Sequence, residues 1–284
     1  MEIRSLASIN MEELFIAWTE AFKGYARAWA RPELESMLRR RGYMPDLSFG
    51  AFDQERLVSF TLNAAGPFNS RFTAYDTGTA TIPSYRGQGL ATRVFRHALP
   101  YLQEAGVEQY LLEVIQDNEN AITIYKNIGF EITRELDYFI AGMKELCKAM
   151  DMPMPGGIAI RETDLSFRHI MEGMPDFSLS WQNSFESIAR SSGGIKIAGA
   201  FHHDRLVGYG MIEPMSGDIP QLAVDPKFRR AKIGSTLLAW LLRYNLNDTV
   251  RIINIERGYK GIYAFLEHSG IKRKGAQYEM VLPV

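Results

Sequence analysis

Among 284 residues there is one cysteine, Cys147. A single thiol closes no internal disulfide, so a stapled secreted scaffold is excluded and a reducing cytoplasm is the expected setting. No basic or histidine cluster sits beside Cys147 to activate it as a nucleophile. Excess charge is missing too: 32 Lys and Arg oppose 33 Asp and Glu, a formal net charge of −1. Nothing general therefore draws the chain to a polyanion or an anionic bilayer, and neither nucleic acid nor membrane is an expected partner. No apolar run reaches the roughly 18 residues a membrane span needs. The opening Met1-Glu2-Ile3-Arg4 leads into no apolar segment of a signal peptide. The five histidines, at 97, 169, 202, 203 and 268, lack ligand spacing, so no metal is expected.

What is present is a repeat. Gly50-Ala51-Phe52-Asp53-Gln54-Glu55-Arg56-Leu57-Val58-Ser59-Phe60 returns as Gly199-Ala200-Phe201-His202-His203-Asp204-Arg205-Leu206-Val207-Gly208-Tyr209, and both read as strand, polar turn, strand. Ile82-Pro83-Ser84-Tyr85-Arg86 is echoed by Asp225-Pro226-Lys227-Phe228-Arg229, and Ile128-Gly129-Phe130 by Ser269-Gly270-Ile271. The order is kept while the offset shrinks slowly, as in a duplication with loop deletions. A length near two ordinary domains agrees. The expected division is 1–147 and 158–284, joined by 148–157, where two prolines and two glycines stop a helix-like stretch from Gly142. Each copy reads as strand, helical segment, antiparallel strands, helix, strand, helix, strand: an α/β (α+β) arrangement on a mixed sheet.

In the first copy, Thr77–Ile82 is rich in β-branched residues and reads as a strand ended by Pro83. Apolar positions at 90, 91, 94, 95, 98, 99 and 102 then mark a helix, interrupted only by Pro100. Arg86-Gly87-Gln88-Gly89-Leu90-Ala91 thus lies between strand and helix start, where free N–H groups suit a phosphate. It is neither a P-loop nor a Gly-x-Gly-x-x-Gly fingerprint. Next come the strand Tyr110–Ile115, with one carboxylate at Glu113, and the run Asn118 to Phe130.

Arg86-x-x-Gly89-x-Ala91, followed in order by Asn118-x-x-Ala121-x-x-Ile124-Tyr125-x-x-x-Gly129-Phe130, resembles the GNAT superfamily of N-acetyltransferases. The resemblance implies a sheet splayed between two central strands, with acetyl-CoA in the opening as acyl donor. It implies that residues from Ile82 through Arg86, Gly87, Gln88, Gly89 and Leu90 to Ala91 wrap the pyrophosphate. Main-chain groups of Thr79 and Thr81 would pair with the pantetheine arm, an N–H near Thr79 would polarise the thioester, and Asn118 would contact the arm. Tyr125 matches the family's general acid, its ordinary pKa of about 10 lying above that of a thiol. Glu113 is a candidate base, with Asp76 and Tyr75 as further candidates and a water chain as the alternative. Phe22 to Trp29, together with Tyr43, Tyr75 and Tyr138, is a candidate aromatic lining for the acceptor.

The second copy departs from the pattern: Gly89, Asn118, Glu113 and Tyr125 correspond to Lys232, Tyr259, Asn254 and Leu266. Tyr263 lies one helical turn away. The expectation is a pair of tandem GNAT-like domains, the second silent. The first would transfer an acetyl group from acetyl-CoA to a primary amine of a small molecule by direct attack in a ternary complex. A coenzyme-A-sensing module and a protein N-acetyltransferase are the alternatives, and a homodimer is left open.

Overall fold

The computed structural model describes residues 1–24, 29–146, 156–191 and 193–284. Cys147, most of the 148–157 joint and Tyr25 to Ala28 of the aromatic segment lie outside the described residues. Two compact units emerge, Met1–Thr133 with Tyr278–Val284, and Arg134–Gln277.

Unit 1 starts with β1 (Glu2–Ser5) and two helices, α1 (Met11–Ala21) and α2 (Arg31–Arg41). Asn10 caps α1 through Glu13 N at 2.9 Å, and Gly42 closes α2 in the left-handed region. The meander β2 (Phe49–Asp53), β3 (Arg56–Phe68) and β4 (Arg71–Thr81) follows, then α3 (Leu90–Glu104), β5 (Gln109–Ile115) and α4 (Glu119–Ile128). The strand order is β1-β2-β3-β4-β5, antiparallel except for the parallel β4–β5 pair. The helix α3 begins at Leu90 and buries Leu90, Val94, Phe95, Ala98 and Leu102, the stripe the periodicity marks. Pro100 is accommodated in its later turns on an exposed face. Burying side chains such as Phe95 and Leu102 stabilises by roughly 1.5–3 kcal/mol each.

Unit 2 repeats the order. It holds β6 (Glu131–Gly142) from Arg134 onward, β7 (Ile158–Glu162), the short helices α5 (Arg168–Met171) and α6 (Phe185–Arg190), and the meander β8 (Lys196–His202), β9 (Arg205–Glu213) and β10 (Asp218–Val224). Then come α7 (Ile233–Leu242), β11 (Thr249–Glu256), α8 (Lys260–His268) and β12 (Lys272–Pro283). The duplicated hairpins agree in detail. Gln54 and His203 both turn through positive φ, and a bulge follows Ala51 and Ala200 alike.

The last strand of each copy divides differently from the repeat boundary. Unit 2 takes in β6 from Arg134, whose Phe139 and Ala141 are buried in its core. Unit 1 takes in Tyr278–Val284, with Met280 buried in its own core and Val284 N donating to Glu108 O at 3.1 Å. Among the described residues, the stretch expected to be helical from Gly142 shows one turn of 3₁₀ over Met143–Glu145, because β6 runs through Gly142 and pairs it with Thr249.

Candidate active site

The β4–β5 pairing runs from Thr73/Gln109 to Tyr75/Leu111 and stops, although both strands continue. The parting begins at a bulge: Leu62 faces Gly78 and Asn63 faces Asp76, so Thr77 is the extra residue. Asp76 makes that turn. Its Oδ1 accepts from Gly78 N and its Oδ2 from Thr79 Oγ1, both at 2.8 Å. Beyond the bulge, Ile82 N donates to Val58 O, so by alternation Ala80 bonds towards β3. The main-chain groups of Thr79 and Thr81 then face the opening. Gly78 has no side chain because Trp18 of α1 lies on it: a Cβ there would meet Trp18 Cζ3 at 2.6 Å.

At the end of β4 the chain turns through Gly87 (φ +76°) and Gly89 (φ +69°), the N-terminal flank of α3. No side chain caps that helix, and a Cβ on either glycine would meet nothing within 4 Å. The first-turn N–H groups and the positive helix end are thus presented on open backbone. Arg86 serves by bracing: its Nε donates to Thr81 O at 3.0 Å, its Nη2 to Ala21 O at 2.8 Å, and its own N–H to Pro83 O. Its guanidinium ties β4, the turn and the end of α1 together. Asn118 is the N-cap of α4, its Oδ1 accepting from Ala121 N at 3.3 Å, which leaves its amide nitrogen as the donor.

Titratable groups converge where the strands part. Tyr125 of α4 packs its ring on Phe130, centroids 5.5 Å apart, and its phenol helps to hold the Asp76 carboxyl down. Burial pushes Asp76 up to about 6, against the pull of Thr79, Gly78, the Arg41 charge and Tyr125. Glu113, half-buried on β5, accepts from Tyr75 Oη. Burial drives the Tyr75 phenol well up, and the Glu113 charge adds to it. Arg41, at the end of α2, donates to Thr77 O at 2.9 Å and bears electrostatically on both Tyr75 and Asp76. Nothing in the motif spacing pointed to Arg41, which reads as the basic last turn of a helix.

Two of the aromatic candidates come together on one helix. Phe22 and Trp29 pack on Trp18, with centroids 4.4 and 6.0 Å away. Trp18 Nε1 is buried with no hydrogen-bond partner among the described residues. Tyr138, by contrast, belongs to unit 2 and lies against Gly275.

Unit 2 keeps the backbone of this site and changes its side chains. Arg230 and Lys232 hold the left-handed positions of Gly87 and Gly89, and Arg229 reproduces the Arg86 brace on Val224 O and Met174 O. The β10–β11 pairing is confined to Asp218/Arg251, but its opening is bridged by the chain itself. Asn183 Nδ2 donates to Ile253 O at 2.9 Å while Asn183 O accepts from Gln221 Nε2 at 2.6 Å. Asn254, where the first copy has Glu113, spends its amide on Ser180 Oγ at 2.8 Å. Leu266, in the place of Tyr125, is fully buried.

The family model for the acetyltransferase (GNAT) family matches residues 5–130 and again 160–258. The chain belongs to the GNAT family. It carries two GNAT repeats. Among GNAT relatives, N-alpha-acetyltransferase MAK3 of Arabidopsis thaliana is 29% identical over 112 residues, 39% of this chain and 59% of its own length. Spermidine N(1)-acetyltransferase of Escherichia coli is 40% identical over 63 residues, 21% of this chain and 34% of the relative. The chain therefore spans less than two thirds of these relatives. A solved tandem GNAT protein from the clavulanic acid biosynthesis pathway superposes with a TM-score of 0.78 at 16% identity, covering 99% of this chain and 98% of that one. A putative acetyltransferase from Pyrococcus horikoshii reaches 0.70 at 15% identity, over 100% of this chain and 89% of its own. Both show the fold.

GNAT enzymes use acetyl-CoA, and the residues of unit 1 fit it. The open Gly87–Gly89 backbone at the start of α3 suits a pyrophosphate, and the β4 edge that β5 leaves at Thr79 and Thr81 suits the amides of the pantetheine arm. No helix among the described residues is long and apolar enough to cross a membrane.

Proposed function

We propose that unit 1 transfers an acetyl group from acetyl-CoA to a primary amine of a small molecule, by direct attack in a ternary complex, and that unit 2 is silent. One observation carries this reading. The strands part at a bulge, with Glu113 on the freed length of β5 and the open glycine turn at the far end of β4. Acetyl-CoA supplies the acetyl group as a thioester. The N–H groups from Gly87 to Ala91 hold its phosphates, with Ile82 and Arg86 fixing the turn. Thr79 and Thr81 hold its arm as an added strand would, and Asn118 donates from the start of α4. Thr79 N–H polarises the carbonyl. Glu113 takes the proton of the acceptor ammonium at its carboxylate, directly or through a water. Tyr125 Oη delivers a proton to the departing sulfur.

A second reading has its own support: two of the relatives, from Arabidopsis thaliana and Schizosaccharomyces pombe, are named as N-alpha-acetyltransferases. The acceptor is then the α-amine of a protein. Thiol release measured against a panel of amines and of peptides with free N-termini separates the two. Turnover only with peptides replaces the small-molecule reading. Turnover with neither, while acetyl-CoA still raises the melting temperature, leaves a coenzyme-A-binding module instead of an enzyme.

A further inference from the structure

Where unit 1 has Gly78, Glu113 and Asn118, unit 2 has Gln221, Asn254 and Tyr259. The first correspondence follows from register, since Leu62 faces Gly78 across β3 and β4 as Met211 faces Gln221 across β9 and β10. All three unit 2 residues touch one segment, residues 177–184, on the way from α5 to α6. Tyr259 packs on Phe177, ring centroids 5.3 Å apart. Asn254 Nδ2 donates to Ser180 Oγ at 2.8 Å, and Gln221 Nε2 donates to Asn183 O at 2.6 Å. Tyr209 Oη donates to Gln221 Oε1 at 2.7 Å, which fixes the amide with its nitrogen towards the segment. Asn183 then reaches β11 with its own amide, donating to Ile253 O at 2.9 Å. The ends are held as well. Arg229, the counterpart of Arg86, donates to Asp176 Oδ1 at 2.9 Å and to Met174 O at 3.2 Å, and Arg134 Nη1 donates to Ser178 O at 2.6 Å. Ser180, Trp181 and Asn183 are buried.

We propose that residues 177–184 form a strap that fills the opening of unit 2, and that Gln221, Asn254 and Tyr259 are a matched set that holds it there. A pantetheine arm binds as an added strand does, by pairing its amides with strand edges where a sheet parts. In unit 2 a side chain of β10 and a carbonyl of β11 already have their partner in Asn183, away from water. Admitting the arm means breaking both bonds and expelling a buried turn, and each buried group left unpaired is costly. The residues of unit 2 therefore do not fit acetyl-CoA. The inference rests on the reading of unit 1 as the acetyl-CoA site and gives the silence of unit 2 a physical cause. That cleft is filled by its own chain as well as lacking the tyrosine.

Two measurements on the full chain test this. In hydrogen exchange without ligand, the Asn183 and Ser184 amides, which donate to Ser180 O and Trp181 O, should be protected at least about 100-fold relative to an unstructured peptide. Calorimetry with acetyl-CoA should saturate at one molecule per chain, with exchange of the strap unchanged at saturation. Exchange at the rate of an open loop overturns the proposal. So does a second bound molecule, or a strap whose exchange changes on binding. If that second molecule is not turned over when Gly89→Lys obstructs the first site, the strap falls while unit 2 remains silent. No binding at all, with the strap protected, removes the reading of unit 1 and leaves the strap standing. Asn183→Ala takes the donor from Ile253 O and should speed exchange of the strap at least about tenfold, while the Kd for acetyl-CoA stays within about threefold. Unchanged exchange in that variant overturns the bridge, and the unaltered chain decides the matter if the variant does not fold.

Discussion

At position 125 a single hydroxyl separates a proton donor from a ring that packs on Phe130. Tyr125→Phe keeps the ring contact, so it should leave acetyl-CoA affinity unchanged and lower kcat by roughly 10²-fold, the lower end of what a positioned acid contributes. Parallel loss in kcat and affinity would make the hydroxyl structural. Glu113 and Tyr125 could be singled out from motif and strand context, because each sits at a set distance from a glycine or a strand end. Their partners could not. Tyr75 and Glu113 lie 38 residues apart and meet only because β4 and β5 pair in parallel. Asp76 reads as a further candidate base, but that it turns the bulge of β4 has no signature in spacing.

Among the elements, the turn before α3 and its copy before α7 form a natural pair for comparison. Both hold two left-handed residues, yet one uses glycines and the other Arg230 and Lys232. A side chain in that region costs about 1 kcal/mol or more. Lys232→Gly should therefore stabilise by up to about 1 kcal/mol, readable as a rise in melting temperature. Gly89→Lys places a side chain on the open backbone of the cradle and should weaken acetyl-CoA binding more than tenfold by calorimetry, since the N–H groups there are its proposed phosphate ligands. Unchanged affinity would move the cofactor elsewhere. The hairpins and α3 were legible because their cues are local: apolar periodicity, a polar turn, a proline after a strand. The bridge of Asn183 across the opening of unit 2 was not. Its partners lie on two strands, at Gln221 and Ile253, and only folding brings them to one side chain.

On the scale of the whole chain, the two units do not respect the repeat boundary, and Asp137 shows what holds one exchanged strand. It sits on β6 with a carboxylate only 2% exposed, met by Arg257, Arg273 and Tyr263 of unit 2. Burial alone would raise it, but the hydrogen bonds from Arg273, Arg257 and Tyr263 win and hold it at about 2. Its unfolded pKa is near 3.9. The stabilisation is therefore complete above about pH 4 and is lost as pH falls from there through about 2. Asp137→Asn should lower the denaturation midpoint at pH 7 and flatten the acid limb of stability. Half-exposed guanidiniums keep the loss below the 3–5 kcal/mol of a fully buried broken pair. Deleting Tyr278–Val284 removes Met280 from the core of unit 1. It should cost that unit its acetyl-CoA binding, although the deletion lies far along the chain from every residue of the cradle.

Composition, the internal repeat and one motif run were enough to determine the family, the duplication and the order of elements. Each of these depends on cues that are local along the chain or recur at a fixed offset. Only the tertiary structure decided where β4 leaves β5, that Arg86 braces the turn, that Glu113 meets Tyr75 and that each unit closes with a strand from the other copy. Those are contacts between residues far apart in sequence. They depend on which backbone groups are left unpaired and which side chains burial brings together, and a linear pattern carries neither.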